Sequence, residues 1–183
     1  MKDPAVLPDD LPVPEDDGAA AHLAGTRLPS LALIATDGAQ VDLPSIPGLV
    51  VVFAYPRTGR PGEPSLVDDW DAIPGARGCT PQTCGFRDLH AEFGALGARV
   101  FGLSTQDTGY QREMVERLHV PFPVLSDADL ALTRALHLPT MNVAGQTLIK
   151  RIAWIARDGT IERVFYPVFP PNRNAADVLA ALQ

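Results

Sequence analysis

The chain has 183 residues, of which 46% are hydrophobic and 20% charged, and its net charge is −7. That length suits one domain with a core that needs no cross-links, and the negative charge argues against binding to nucleic acid or to an anionic membrane surface. Because no run approaches the ~18 apolar residues of a membrane span and no secretory signal is visible, we expect a cytoplasmic protein without nucleic-acid or membrane partners.

Residues 1–24 predict an acidic, proline-rich arm. They include four prolines and six acidic residues and few side chains that a core would bury. Segments of this composition gain too little from burial to offset the entropy of ordering. We therefore expect a flexible or loosely docked arm at 1–24, followed by a folded domain at 25–183.

The first half of the domain predicts a hairpin, two buried strands and one long helix. Residues 28–43 contain two short apolar runs around an Asp-Gly pair, which is a hairpin signal. Leu49–Ala54 is a continuous β-branched and aromatic run, which indicates a strand buried on both faces, and 99–103 is a second run of this kind. Residues 80–93 contain few helix breakers and predict a single helix.

The second half of the domain predicts further strands and helices. Asp107 is expected to cap a helix with one apolar face. The remaining predicted elements are a strand at 122–125, a helix at 128–136, a hairpin of strands at 148–156 and 161–166, and a closing helix at 175–182. After the opening hairpin, the order β-α-β-α-β-α-β-β-α predicts an α/β fold, with a central mixed sheet flanked by helices.

One segment, 57–78, does not fit a compact core. It contains three prolines and four glycines, so it can sustain neither a helix nor a strand for long. Long loops inside compact domains usually serve a function or are disordered. Because this insert leads from the most apolar strand to the first cysteine, we expect it to form a lid or wall over a site.

Two cysteines, Cys79 and Cys84, are the main candidates for chemistry. Cys79 directly precedes the predicted helix, where free backbone N–H groups and the helix dipole favour an anion. A structural disulfide would close a short loop worth only about 2 kcal/mol, and the cytosol keeps ordinary thiols reduced. The CxxxxC spacing and the absence of paired histidines argue against zinc.

The sequence around these cysteines resembles a known family. Residues 78–88, GCTPQTCGFRD, are similar to the GCTxQxCxFRD signature of peroxiredoxins of the bacterioferritin comigratory protein class, also called the Q class. Other motifs occur in the family's order, namely the Tyr55-Pro56 pair, the PFPVLSD segment at 121–127 and an arginine-bearing strand that begins at Arg151. The resemblance covers most of the chain after the arm and implies a thioredoxin-like fold.

The resemblance also implies a thiol-dependent peroxidase and a role for each site residue. Cys79 would attack hydrogen peroxide or an organic hydroperoxide and become a sulfenic acid, which Cys84 would resolve as an intramolecular disulfide. Arg151 would hold the thiolate and polarise the peroxide, and Pro56 would shield the sulfur. We expect no metal or organic cofactor, reduction by thioredoxin or a similar dithiol protein, and a monomer.

The sequence departs from the family pattern just before the reactive cysteine. The family usually has a threonine three residues before it and a proline seven before it, and here Ala76 and Ala72 stand at those positions. The hydroxyl donor must then come from elsewhere. Thr58, which follows the Tyr55-Pro56 pair closely, is the candidate.

Other interpretations remain open. A thiol-disulfide oxidoreductase would share the fold, although the absence of CxxC speaks against it. A non-catalytic redox sensor would share the cysteine pair. Arg151 would ordinarily be a surface residue, and Gln82 and Arg87 are interpreted as a solvated helix face or as local hydrogen-bonding groups with a possible supporting role.

Overall fold

The computed structural model describes residues 5–183. Its strands are β1 Ala32–Ala35, β2 Gln40–Asp42, β3 Leu49–Ala54, β4 Ala98–Ser104, β5 Val124–Ser126, β6 Thr140–Val143, β7 Gln146–Ile149, β8 Ile152–Arg157 and β9 Thr160–Phe165. Its α-helices are α1 Cys79–Asp88, α2 His90–Ala95, α3 Thr108–Leu118, α4 Ala131–Leu136 and α5 Asn174–Ala180. No helix within 5–183 is long and apolar enough to cross a membrane.

Seven of the strands form one mixed sheet in the order β2-β1-β5-β4-β3-β8-β9. Strand β4 lies at its centre, parallel to both β5 and β3, and β3 is in turn antiparallel to β8. The opening hairpin β1–β2 joins the far edge antiparallel to β5. The predicted central mixed sheet flanked by helices is confirmed.

Two hydrophobic clusters cover the two faces of this sheet. Alternate residues of β3 enter each cluster, for example Val52 on one face and Phe53 on the other. The Phe53 ring stacks on Phe86 of α1 with ring centroids 4.2 Å apart. Burial on both faces explains why β3 is a continuous apolar run rather than an alternating one.

The prediction of one uninterrupted helix at 80–93 is wrong. The segment forms two helices, because Leu89 leaves the helical conformation at φ −101° and ψ 11°. Phe86 before the break and Phe93 after it still stack, with ring centroids 5.6 Å apart. The break therefore redirects the chain while both aromatic rings stay in the same cluster.

The single strand predicted at 148–156 is also wrong. The chain leaves β7 after Ile149 and enters β8 at Ile152, and β6 and β7 pair in a separate two-stranded sheet. This hairpin packs against the insert at 57–78, where Trp70 and Leu148 share a small third cluster. The insert thus has apolar packing of its own, which its glycine and proline content did not indicate.

The described part of the predicted arm, 5–24, has no helix or strand, and residues 1–4 lie outside the described residues. Its C-terminal end is nevertheless packed, because Ala20 and Leu23 are buried in the same cluster as Val52. The His22 Nε2 atom also lies 2.8 Å from the carbonyl oxygen of Leu136. Within 5–24 the arm is therefore docked on the domain, and whether it moves in solution stays a prediction.

Candidate active site

Cys79 is the first residue of α1, and its side chain is only 3% exposed. The helix begins after Gly78, which has a φ of 104°, and the first intrahelical bond runs from Gln82 N to Gly78 O. A Cβ atom on Gly78 would lie 2.3 Å from Pro171 Cγ, so both the backbone conformation and the space require glycine. The free N–H groups of the first turn therefore lie at Cys79, where they favour a negative charge.

Arg151 is held against the cysteine sulfur. It lies in the bend between β7 and β8, is 3% exposed, and places Nη2 3.3 Å from the Cys79 Sγ. The same Nη2 group donates to the carbonyl oxygens of Gly75, Ala76 and Arg77 at 2.9–3.2 Å. The guanidinium therefore places a fixed positive charge and N–H donors directly at the sulfur.

A buried chain of side-chain hydrogen bonds orients the guanidinium. Arg151 Nη1 donates to Gln82 Oε1, and Gln82 Nε2 donates to Asn174 Oδ1 at 2.8 Å. Gln82 and Asn174 are both buried, so the interpretation of Gln82 as part of a solvated face is wrong. Asn174 was missed because it lies 92 residues from Gln82 and begins α5, with no motif to mark it.

Two buried residues follow β3, and the first of them, Tyr55, shares a hydrophobic cluster with Cys79. Burial raises the pKa of Tyr55 by more than a hydrogen bond with Ser104 lowers it, and the negative charge of Cys79 raises that pKa further, so the buried hydroxyl stays neutral. Pro56 follows it and is buried as well, and its shielding of the sulfur stays a prediction.

The structure does not bring the Thr58 hydroxyl to the sulfur. Thr58 is 1% exposed, and its hydroxyl donates to Gln106 Oε1 at 3.1 Å. The backbone completes the pairing, since Thr58 N donates to the same oxygen and Gln106 Nε2 donates to Thr58 O. Within 5–183, no hydrogen bond joins Thr58 to Cys79.

Cys84 lies half-buried on the same helix, about 1.4 turns after Cys79, and both cysteines are free thiols. Burial raises the pKa of the Cys84 thiol, although the positive charges of Arg87 and Arg117 act in the opposite direction. Residues five apart on an α-helix have Cα atoms roughly 8–9 Å apart. A disulfide usually requires less than about 7 Å, so intact α1 cannot hold the Cys79–Cys84 bond.

A cavity of about 350 Å³ opens beside Arg151. Its walls come from three segments: the arm, the insert, and the chain around β6 to β9. The lining residues include Val13, Pro14 and Asp17 from the arm, Gly75 from the insert, and Met141 and Val168. The insert thus contributes both to this wall and to the carbonyl groups that hold Arg151.

Comparison with known proteins extends over most of the chain. The Redoxin family model matches residues 23–182. The chloroplastic peroxiredoxin Q of rice (Oryza sativa subsp. japonica) is 27% identical over 160 residues, which cover 87% of this chain and 66% of the rice protein. The chain thus spans about two thirds of the length of that relative.

Solved structures of related proteins also superpose on most of this chain. Peroxidoxin BcpB from Mycobacterium tuberculosis superposes with a TM-score of 0.70 at 26% identity, covering 87% of this chain and 95% of that one. The bacterioferritin comigratory protein of Xanthomonas campestris gives 0.69 at 26% identity, covering 87% and 96%. The thioredoxin-like fold is therefore confirmed. Because the Redoxin model matches residues 23–182, the chain belongs to the Redoxin family, and its relatives and structural neighbours identify it as a peroxiredoxin of the bacterioferritin comigratory protein (Q) class.

Proposed function

We propose that this protein reduces hydrogen peroxide and organic hydroperoxides through a sulfenic acid at Cys79 and a Cys79–Cys84 disulfide. The observation that carries the proposal is the Arg151 Nη2 group 3.3 Å from the buried Cys79 sulfur at the start of α1. Consumption of peroxide by the purified protein with a dithiol reductant is the direct test. Peroxide turnover distinguishes this function from that of a thiol-disulfide oxidoreductase, which would instead reduce insulin.

The first step uses the positive environment of the sulfur. The Cys79 thiolate attacks one peroxide oxygen, an S–O bond forms as the O–O bond breaks, and the leaving oxygen takes a proton to become water or an alcohol. Charge develops on both oxygens as they separate, and preorganised donors stabilise that charge. Arg151 supplies such donors, since its buried Nε has no partner within the described residues.

The second step requires α1 to open. In the intact helix Cys84 is too far away to reach Cys79 and is held as a thiol by burial, which raises its pKa. Unwinding of the first turns would bring the two sulfurs together and expose Cys84, so that its pKa falls toward the ordinary value. The Cys84 thiolate then attacks the sulfenic sulfur, and the oxygen leaves as water. Opening costs least at a helix end, where few backbone bonds are lost.

Replacing Cys84 with serine separates the two steps. We expect Cys84→Ser to consume about one equivalent of peroxide and then stop, because the sulfenic acid has no partner to displace its oxygen. Stopped-flow peroxide consumption and mass spectrometry of the product check this result, and over-oxidation of Cys79 should increase. Full turnover by Cys84→Ser, or an intermolecular disulfide in the wild type on a non-reducing gel, would contradict the intramolecular mechanism.

The donor role of Thr58 stays a prediction, because its hydroxyl would have to leave Gln106 to reach the sulfur. If it does so during the reaction, Thr58→Val should slow the oxidation of Cys79 by about tenfold or more, the scale of a lost transition-state hydrogen bond. The valine keeps the backbone N–H that bonds Gln106, so the fold should be retained. An unchanged rate constant would leave Thr58 with a structural role only.

We also propose a monomer in the cytoplasm that is reduced by thioredoxin or a similar dithiol protein. Half-exposed Cys84 supports this reductant, since a partner thiol must reach a disulfide sulfur once α1 has opened. Assays with thioredoxin, glutaredoxin and a small dithiol would rank the reductants. A persistent disulfide with very slow turnover in all three would favour the redox sensor instead.

A further inference from the structure

The arm packs on residues 75–78, the segment that leads into Cys79 at the start of α1. Arg77 Nη2 donates to the Val6 carbonyl oxygen at 2.9 Å. A Cβ atom on Gly78 would lie 3.0 Å from Leu7 Cδ2, and one on Gly75 would lie 3.7 Å from Pro14 Cβ. The arm therefore covers residues 75–78, whose first three carbonyl groups hold the Arg151 guanidinium.

Asp17 anchors the arm at the cavity beside Arg151 through two side-chain hydrogen bonds. Its Oδ2 accepts from Lys150 Nζ at 2.7 Å, and its Oδ1 accepts from the Tyr166 hydroxyl at 2.8 Å. The hydrogen bonds from Lys150 and Tyr166 lower the pKa of Asp17, and burial together with the bond to Asp17 raises the pKa of Tyr166. The carboxylate and the phenol therefore keep the protonation states that this contact needs across the neutral range.

The cavity behind this contact has a mixed lining. Its charged residues are Glu15, Asp17, Lys150 and Arg151, and apolar groups come from Val13, Pro14, Met141 and Val168. A volume of about 350 Å³ lies in the range of small-molecule sites, whereas a molecule of the size of water occupies only about 30 Å³. Hydrogen peroxide, with two oxygen atoms, would leave most of this space unused.

We propose that residues 13–17 of the arm form a substrate-selecting wall, and that the cavity accommodates the apolar group of an organic hydroperoxide whose O–O group reacts near Arg151. The Redoxin match begins at residue 23, so this wall lies outside the matched residues. The inference rests on the proposed peroxidase function. It attributes the protein's preference among peroxides to the arm.

The test compares two substrates in full-length variants. In Val13→Ser, the ratio of kcat/KM for cumene hydroperoxide to kcat/KM for hydrogen peroxide should fall by about fivefold, the scale of removing one or two apolar carbons from contact with the substrate. Val13 is 63% exposed, so the change should not affect folding. In Asp17→Ala, the ratio should fall by about threefold, the scale of one exposed ion pair.

Matched controls lie on the same arm. Val6 is 60% exposed and outside the cavity, so Val6→Ser should leave the ratio unchanged. The Asp16 carboxylate accepts from Gly18 N and does not line the cavity, so Asp16→Ala should also leave the ratio unchanged. A wild-type ratio in both Val13→Ser and Asp17→Ala would overturn the selecting wall and leave the peroxidase intact. A wild type that consumes neither peroxide would overturn the proposed function itself.

Discussion

Replacing Cys79 with serine should abolish peroxide reduction. A hydroxyl in place of the thiol is almost entirely protonated at neutral pH and is a far weaker nucleophile than a thiolate. Serine is close to cysteine in size, so the buried position at the start of α1 should keep its packing. The measurement is the rate of hydrogen peroxide loss with excess dithiol, compared with buffer alone.

The cysteine that remains provides the control. Cys84→Ser retains Cys79 and should still consume its first equivalent of peroxide, whereas Cys79→Ser should consume none. Circular dichroism and thermal unfolding of both variants would show that the fold is kept. Activity in Cys79→Ser above a few per cent of wild type would show that another residue is the nucleophile.

Replacing Arg151 with methionine should slow oxidation of Cys79 by ~10²-fold or more, the scale of losing one preorganised donor at a developing charge. Methionine keeps much of the side-chain stem but removes the charge and every donor. The carbonyl groups at 75–77 would lose their shared partner, so a lower unfolding temperature is also expected. Stopped-flow fluorescence during a single turnover measures the oxidation step without contributions from resolution.

Arg157→Met is the matched control for this variant. Arg157 ends β8, six residues from Arg151, and its side chain is 51% exposed in an ion pair with Glu162. Arg157→Met should leave the rate of Cys79 oxidation unchanged. Arg151→Lys tests geometry separately from charge, because an ammonium cannot reproduce the planar fork that contacts Gln82 and the carbonyl groups together. Wild-type kinetics in a folded Arg151→Met protein would exclude Arg151 from the reaction.

Local patterns predicted much of the fold. The bounds of Leu49–Ala54 are those expected, since a strand buried on both faces leaves a continuous apolar run. Asp107 caps α3 as predicted, its Oδ1 accepting from Tyr110 N at 2.8 Å. The β6–β7 hairpin was missed because its strands are mostly exposed or half-buried, and the packing that stabilises it comes from the distant insert.

The candidate site was predictable where a motif marked it. Cys79 and Arg151 were both predicted from the sequence, and the structure places them in contact, while their catalytic roles stay a prediction. The buried partners of Arg151 were not found, because a hydrogen bond such as that between Gln82 and Asn174 joins residues far apart in sequence. Thr58 was inferred from its nearness to Pro56 along the chain, but nearness in sequence did not determine where its hydroxyl points.

The interruption at Leu89 limits how far oxidation can disturb the protein. Because α2 has its own backbone bonds after the break, the opening of α1 need not propagate into it. In hydrogen exchange, we expect the hydrogen-bonded amides at 82–84 to lose protection in the disulfide form, while those near Phe93 retain it. Exchange in the first turns of α1 would then report the redox state, whereas exchange in α2 would not. The α2 amides would therefore serve as an internal reference within a single experiment.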